Sequence, residues 1–591
     1  MKSVSQKSAT ARKRRLPLPF FGVDVNFCRN AQCAQFGIFP DPRDGRGGGL
    51  SSANTNFPRG GVGGSGDKKA FTCGSCGQES VLKNNRAIVE EYTRLRRLQR
   101  PDGAGRSCRQ NTCLSNGKSV DDRPELYRKS GRSKAGNQRY TCKRCHSTFT
   151  VGHPARTHKR KSKNGEVLKL LVHSNSLSKI SEIADLAPRD VYRKLDFIHE
   201  RVREFTSRRE GDLRGVDWER YGRRFATDGQ TLTLNWPNRK KRASVTVQHL
   251  CTAHANSGYI VLGHLQFDPA GDMEKVEIDM ALNGDIKKAR CMRRHGRLWT
   301  AAEFKKYLDD ITAEVVLDPE IAADVDLGLQ FPHEGGLVRQ DIQQYAHALM
   351  LRRMVSQSDC RFYFVQDGDA GLSKAFLAIF APEVQAGRVD IATVAFDKYQ
   401  VNDVREVLWV QGRRDLRNDL GLSAHQLDSL PEKIFNEEID REIVKRLAGH
   451  RLGTPFAWPY HTKSEPSRVV DLKTDRPELT TERCARLMRL ATLRSVDSYF
   501  HKIRSNVRPA SRPVSTPSSN VRPASRPVST PSSNGRTWDR HFLYRPEMLA
   551  KIIEIYRFHH NWMGTRQTKR TPAMKLGLAK GRIYERDLFG E

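Results

Sequence analysis

Two stretches of the 591-residue sequence decide the expected fold: Arg223–Asp228 (RRFATD) and Arg361–Asp367 (RFYFVQD). Each is a β-like run that ends in an aspartate, which is typical of a strand followed by a polar position. After the first run, the pattern predicts an antiparallel meander over 230–236, 243–253 and 258–267. After the second, it predicts a helix over 372–380 and a strand over 388–396.

Strands first, then alternating helices and strands, is the element order of an RNase H-like mixed sheet. In that fold Asp228 and Asp367 would end adjacent central strands. Carboxylates so placed could hold two Mg²⁺ or Mn²⁺ ions about 3.5–4 Å apart, as phosphoryl transfer requires. Each aspartate also precedes a glycine, so an Asp-Gly turn is the alternative for either residue. Asp369 is the alternative ligand to Asp367.

The charge of the chain points to a polyanionic partner. There are 102 Lys and Arg residues against 67 Asp and Glu, a net charge of +35. Neutralised phosphates release condensed counterions, so such an excess favours nucleic acid over a solvated basic surface or a ribosome-associated tail. No stretch of 18 apolar residues and no signal peptide is evident, so we expect no membrane span and a cytoplasmic protein.

Eight of the twelve cysteines form two modules with one pair order, C-x4-C and then C-x2-C. Two tight turns supply four thiolates, the closed tetrahedral set of a structural zinc site. Reduced cytoplasmic thiols also favour metal over disulfides. We therefore predict two zinc ribbons, over 17–82 with a flexible insert at 41–69, and over 104–152. Their metal ligands would be Cys28, Cys33, Cys73 and Cys76, and Cys108, Cys113, Cys142 and Cys145.

Residues 164–209 carry apolar positions at helical spacing, interrupted near Asn175 and Pro188. A short helix, a tight turn and a longer helix predict a helix-turn-helix, with a plain helical hairpin as the alternative. The second helix would present its N-terminal polar residues to the DNA major groove. These are Arg189, Tyr192, Arg193 and Lys194.

Three further segments complete the domain organisation. Residues 1–16 read as a disordered basic arm. The sequence at 506–519 is repeated without change at 520–533, so 505–536 is expected to be a disordered loop. The catalytic domain would span 222–580 with a helical C-terminus. Its acids are far apart in sequence, which predicts insertions near 269–355 and 400–475.

Zinc ribbons, a helix-turn-helix and Asp-Gly motifs together resemble bacterial insertion-sequence transposases of the DDE type. The phrase Gln366–Leu372 (QDGDAGL) is similar to that family's second-acid motif, with Asp367 as the ligand. The tail is also similar, with Ile552–Trp562 (IIEIYRFHHNW) and then Thr571–Leu578 (TPAMKLGL). The likeness spans most of residues 70–585, motif by motif.

The resemblance implies a third acid on a helix predicted from Thr481 to about Ile503. The family often places a basic residue seven positions later. Asp497 has Arg504 there and Glu482 has Arg489. The phrase from 496 to 500 (VDSYF) looks more like the family's third motif, so Asp497 is preferred and Glu482 is the alternative.

The resemblance implies a nucleoid-associated enzyme that binds terminal inverted repeats in double-stranded DNA. It would cleave and join strands with Mg²⁺ or Mn²⁺, as a homodimer or higher oligomer. The alternative is a non-catalytic zinc-ribbon and helix-turn-helix regulator derived from a transposase. A weaker alternative is an RNase H-like nuclease acting on RNA or hybrids.

Overall fold

A computed structural model describes residues 16–39, 61–64, 69–99, 106–151, 159–235, 244–307, 334–510, 543 and 545–589, apart from short gaps inside these ranges. Within them the chain is a multi-domain α/β protein built around a mixed sheet. The predicted basic arm lies outside the described residues, except Leu16. Most of the tandem repeat also lies outside them.

Each cysteine module contains a three-stranded antiparallel sheet. The first has β1 (Gly61–Gly63), β2 (Ala70–Thr72) and β3 (Glu79–Val81), followed by helix α1 (Asn85–Leu98). The second has β4 (Tyr127–Arg132), β5 (Gln138–Cys142) and β6 (Thr148–Val151). Strand β1 falls within the predicted flexible insert 41–69, so the described part of that insert belongs to the module's sheet.

The predicted helix-turn-helix region contains three helices: α2 (Lys163–Leu171), α3 (Leu177–Ile183) and α4 (Pro188–Arg209). The Ser176 side chain caps α3 by accepting the Lys179 backbone N–H, and Pro188 opens α4 at a position where a proline costs no helix hydrogen bond. Helices α2 and α3 both pack on α4. A single-turn helix, α5 (Trp218–Tyr221), leads into the sheet.

The central sheet has seven strands in the order β14-β15-β13-β12-β7-β8-β9. The first three along the chain are β7 (Arg224–Asn235), β8 (Ser244–His254) and β9 (Ile260–Leu265), an antiparallel meander. A separate two-stranded ladder joins β10 (Phe267–Asp268) to β11 (Gly336–Leu337). The remaining strands are β12 (Phe362–Asp367), β13 (Val389–Ala395), β14 (Phe456–Ala457) and β15 (Val469–Leu472). β12 is parallel to both β7 and β13.

Two differences from prediction concern the ends of elements. Strand β7 continues through Asp228 to Asn235, and Gly229 pairs with Leu250, so Asp228 is not in an Asp-Gly turn. The single helix predicted from Thr481 is two helices. The buried Glu465 carboxylate accepts the Thr492 hydroxyl at 2.6 Å and the Leu493 backbone N–H at 2.8 Å, which holds the chain in a break.

Helices cover both faces of the sheet. One face packs on α7 (Gln340–Val355) and α8 (Ala370–Ile379). Helix α9 (Ala381–Gln385) follows α8, and α6 (Met273–Leu282) lies earlier in the chain. Phe364 contacts Phe376 on this face, and Thr252 hydrogen-bonds to His347 at 2.7 Å. Helix α7 therefore belongs to the core, although its residues fall within the predicted insertion 269–355.

The second predicted insertion, 400–475, is helical in its first part and β-sheet in its last. It contains α10 (Asn402–Leu420), α11 (Ala424–Ser429) and α12 (Glu432–Leu447) and then β14 and β15, which extend the central sheet. The two helices α13 (Thr481–Leu490) and α14 (Arg494–Asn506) follow. Pro509 and Ala510, at the start of the predicted disordered repeat, are buried.

The C-terminal segment closes the free edge of the sheet. It comprises α15 (Pro546–Phe558), a π-helical turn (His559–Met563), α16 (Pro572–Lys575) and α17 (Glu585–Phe589). The Asn561 side chain exchanges two hydrogen bonds with the Ile260 backbone on edge strand β9. Helix α15 packs along α4, so the three-helix region rests on the same core. No helix in the described ranges is long and apolar enough to cross a membrane.

Candidate metal centres and carboxylate site

The eight predicted cysteine ligands meet in two groups of four. In each group the sulfur atoms all lie within 4.8 Å of one another. Two sulfur pairs are 3.6 and 3.8 Å apart in the first group, and two are 3.3 and 3.9 Å apart in the second. Tetrahedral bonds of about 2.3 Å to zinc place two sulfurs about 3.8 Å apart. Both groups could therefore hold a zinc ion.

The two groups are built from the same turns. Cys33 and Cys113 each accept, at Sγ, a backbone N–H from two residues ahead at 3.4 Å. The backbone N–H of Cys73 and that of Cys142 each donate to the carbonyl of the residue five positions later. The carbonyl of each of these cysteines accepts the backbone N–H of the residue four positions later. His146 has φ +58° in the second module where Gly77 has φ +71° in the first. His146 is exposed and lies outside the group of four sulfurs.

The thiols within each group have different proton affinities. Burial raises the pKa of Cys33 and of Cys108 to about 11. Hydrogen bonds from Ser147 lower the pKa of Cys145 to about 6. A metal ion binds the thiolate form, so the set must lose protons when zinc binds, and affinity will fall with falling pH.

The two modules differ in what surrounds them. Arg29 of the first module is buried, donates to the Val25 and Val81 carbonyls and stacks over Tyr345 of α7. Lys83 also pairs with Asp341 of α7 at 2.7 Å. The second module's apolar cluster, in contrast, contains its own residues alone: Cys108, Val120, Tyr127, Cys142 and Phe149. Of the other cysteines, Cys251, Cys291 and Cys484 are buried and Cys360 is half-buried.

In the three-helix region, three of the four predicted DNA-contacting residues are exposed on α4: Arg189, Tyr192 and Arg193. Lys194 is 2% exposed, and its ammonium donates to the carbonyls of Lys159 and Arg160 and to the Asn164 side chain. An ammonium with three short-range protein acceptors is not available to phosphates or bases. Lys194 therefore stabilises the region, contrary to its predicted role.

Asp228 and Asp367 lie beside each other on the central strands. β7 and β12 are parallel, and their paired residues run up to Thr227 and Gln366, so these aspartates are the next pair along. Residues in register on neighbouring strands point to the same face of a sheet. Asp228 is 3% exposed and accepts the Gly229 backbone N–H at 2.7 Å, while Asp367 is half-buried.

Helix α14, which carries Asp497, packs on the face that carries these two aspartates. Arg504 of α14 donates to Gln230 at 3.0 Å, and Gln230 is two residues beyond Asp228 on β7 and thus on the same face. Phe500 lies against His249, the partner of Gln230 on β8. Asp497 and Arg504 are two helical turns apart on one side of α14. The half-buried Asp497 is thereby on the side directed to the sheet.

The alternatives to Asp497 and Asp367 have other partners. Glu482 is exposed in the first turn of α13, and Arg489 forms an ion pair with Asp440 of α12 at 2.7 Å. This part of α13 therefore faces the helical insertion. Asp369 caps α8 by accepting the backbone N–H groups of Gly371 and Leu372. Asp367, in contrast, is the neighbour of Asp228 on the adjacent strand, and Asp497 lies on the helix that packs on the same face.

Sequence reasoning missed a polar cluster beside Asp228. His249 hydrogen-bonds to Gln230 at 3.1 Å and to the Cys251 thiol at 3.0 Å, and Cys251 pairs with Asp228 across the β7–β8 ladder. Burial lowers the pKa of His249 to about 3, so the ring is neutral at pH 7. Burial raises the pKa of Cys251, and the Asp228 charge adds to the rise. The sequence signal that could have revealed this cluster is the spacing of Asp228 and Gln230. Residues two apart on a strand place their side chains on the same face.

The carboxylates are less closely gathered than the thiols. Among the described residues, the sets of three or more potential metal ligands within 4.8 Å are the two cysteine groups. Asp228, Asp367 and Asp497 therefore share a face without forming a compact cluster. A two-ion site spans more than a one-ion site, since the ions themselves are about 3.5–4 Å apart. Comparisons with protein-family models, curated proteins and solved structures found no match for this chain.

Proposed function

We propose that this chain is an insertion-sequence DNA transposase of the DDE type, whose core is an RNase H-like sheet. One observation carries the proposal: Asp228 and Asp367 are neighbours on adjacent parallel strands, on the face that helix α14 covers. The strand order β9-β8-β7-β12-β13, with a meander followed by two parallel strands, supports the RNase H-like assignment.

Asp228, Asp367 and Asp497 would be the metal ligands. Bound Mg²⁺ or Mn²⁺ ions would activate the attacking oxygen and stabilise the departing one, for hydrolysis and then for strand transfer. These hard cations prefer oxygen ligands, and here the carboxylate oxygens would come from two strands and a helix. Arg504 holds Gln230 beside Asp228 and so fixes the distance between α14 and β7.

The cysteine modules and the three-helix region would supply DNA recognition. Both modules could bind zinc, and the net charge of +35 favours a phosphate backbone as partner. Arg189, Tyr192 and Arg193 would contact the terminal inverted repeats of double-stranded DNA. A homodimer or larger assembly would be needed to bring two element ends together.

The test is metal-dependent cleavage of a supercoiled plasmid carrying the two DNA segments that flank the coding sequence. With Mg²⁺, the chain should nick at the segment ends and join them to a second plasmid, and Asp228→Ala should abolish both products. Glu482→Gln is the matched control and should keep them. Products of equal yield from Asp228→Ala would show that the carboxylate assignment is wrong.

A non-catalytic DNA-binding regulator derived from a transposase is the second candidate. It is favoured by the spacing of the three acids, which lie outside a compact ligand cluster. It predicts tight, specific binding to the same DNA and no nicking by the unaltered chain with either Mg²⁺ or Mn²⁺. An RNA–DNA hybrid added to the substrate panel tests the nuclease alternative.

A further inference from the structure

A polar cavity lies at the start of β7, where Arg224 lines it. Its volume is about 790 Å³, within the roughly 300–1,000 Å³ typical of small-molecule sites. Three parts of the chain line it: the β8–β9 turn, one side of α14 along its whole length, and the C-terminal segment from Tyr556 onward. Val172 and His173, at the end of α2, complete the wall.

The charge of this cavity is one-sided. Five arginine and lysine side chains line it, and none of its described lining residues is acidic. The five are Arg224, Arg494, Lys502, Arg570 and Lys575. Desolvation lowers the pKa of the Lys502 ammonium, and the charge of Lys575 lowers it further. Five cations around one cavity repel one another, and an anion bound there would relieve that repulsion.

Two buried polar atoms of the cavity wall also lack a partner. Neither the Ser495 hydroxyl oxygen nor His559 Nδ1 has a hydrogen bond within the described chain, and His559 is 8% exposed. A buried polar atom without a partner costs free energy, so a ligand that bonds to it gains affinity. Burial lowers the pKa of His559 to about 4, so at pH 7 the ring is neutral.

The backbone around His559 is specialised. His559 and His560 lie in a π-helical turn that follows α15 directly, and both residues line the cavity. Such turns are rare in proteins as a whole, and many of those that occur lie at functional sites. Pro572 and Lys575 also line the cavity, and both belong to the Thr571–Leu578 motif, which the carboxylate site does not use. Thr571 caps the short helix that presents them.

We propose that this cavity binds the phosphate groups of an unpaired nucleotide in a DNA strand. The ligand assignment rests on the proposed function, whereas the anion site rests on the cavity alone. Arg224 lines the cavity and lies four residues before Asp228 on β7, about 13 Å away along the strand. A strand leaving the carboxylates could therefore reach the cavity, which is too small for a duplex.

The experiment measures binding of a fluorescent 12-nucleotide single strand without added divalent cation. Lys502→Ala with Lys575→Ala should weaken binding at least about tenfold and lower the salt slope by about 1.4, the value for two phosphate contacts on a single strand. The control is Lys433→Ala with Lys445→Ala on α12, which removes the same charge elsewhere and should change binding less than about twofold. Thermal melting confirms that both variants are folded.

Competition distinguishes the possible sources of the phosphate. Inorganic phosphate and deoxythymidine monophosphate should displace the strand weakly, at millimolar concentrations. Equal affinity for the mononucleotide would overturn the assignment to a DNA strand. Unchanged binding by the cavity variant, or an equal loss in the control, would overturn the site itself. Because no Mg²⁺ is present, these outcomes do not depend on whether the carboxylates cleave DNA.

Discussion

The cysteine groups and the carboxylate site are assembled in different ways. Each cysteine group comes from two tight turns, and its four sulfurs lie within 4.8 Å before any ion is considered. The carboxylates come from two parallel strands and a helix separated by more than a hundred residues, and they share a face without closing on one another. A structural centre is thus complete within the chain, while a catalytic centre would be completed by its ions and its DNA.

The largest expected effect separates a ligand from its structural neighbour. Asp367→Asn should lower cleavage at least about 10³-fold and leave the melting temperature unchanged, because it removes the charge of a proposed metal ligand at a half-buried position. Asp369→Ala should cost about 1 kcal/mol of stability, because Asp369 caps α8. Cleavage and melting temperature are measured on both. A stable but inactive Asp369→Ala with an active Asp367→Asn would reverse the assignment.

The second prediction compares the two cysteine modules. Cys73→Ser and Cys142→Ser should each reduce bound zinc from two ions to one, measured with a chromophoric chelator. Cys73→Ser should also lower the melting temperature of the core, because the first module packs on α7 through Arg29 and Lys83. Cys142→Ser should leave core melting unchanged, since the second module has its own apolar cluster. Equal losses from both variants would contradict this difference.

The third prediction concerns acid stability of the core. Burial lowers the pKa of His249 and of His347 to about 3. The unfolded chain takes up protons on these rings below about pH 6.5, while the fold does not. Stability should therefore be level above pH 7 and fall as the pH drops from 6.5 toward 3.

Urea unfolding at pH 7.5, 6.5, 5.5 and 4.5 measures this fall, with zinc content determined in parallel. His347→Gln should reduce the dependence on pH, because one of the buried neutral rings is gone. A midpoint that stays constant down to pH 4.5 would contradict the buried neutral histidines.

The smallest effect distinguishes two neighbours on α4. Lys194→Met should cost about 1–3 kcal/mol, because three acceptors lose a buried donor, with no change in the salt slope of duplex binding. Arg193→Met should change stability by less than about 0.5 kcal/mol, because its partner Asp190 is at the surface, and lower that slope by about 0.9. The opposite pattern would make Lys194 the DNA contact.

These contrasts show which features the sequence could predict. Cysteine spacing, the order of strands around Asp228 and Asp367, and the three-helix region all follow from local patterns. The break between α13 and α14 does not, because it depends on Glu465, which is distant in sequence. The burial of Lys194 likewise depends on the chain at 159–164. Helix α7 fell within a predicted insertion because its sequence does not show that it packs on one face of the central sheet. That contact depends on residues distant in sequence, such as Thr252.

Anomalous diffraction from crystals grown with Mn²⁺ tests the carboxylate site most directly. Zinc peaks at the two cysteine groups serve as the internal control. We expect at least one manganese peak within about 2–2.3 Å of oxygen atoms from both Asp228 and Asp367, and no such peak in Asp228→Ala crystals. Zinc peaks at both cysteine groups with no manganese between these two aspartates would contradict it.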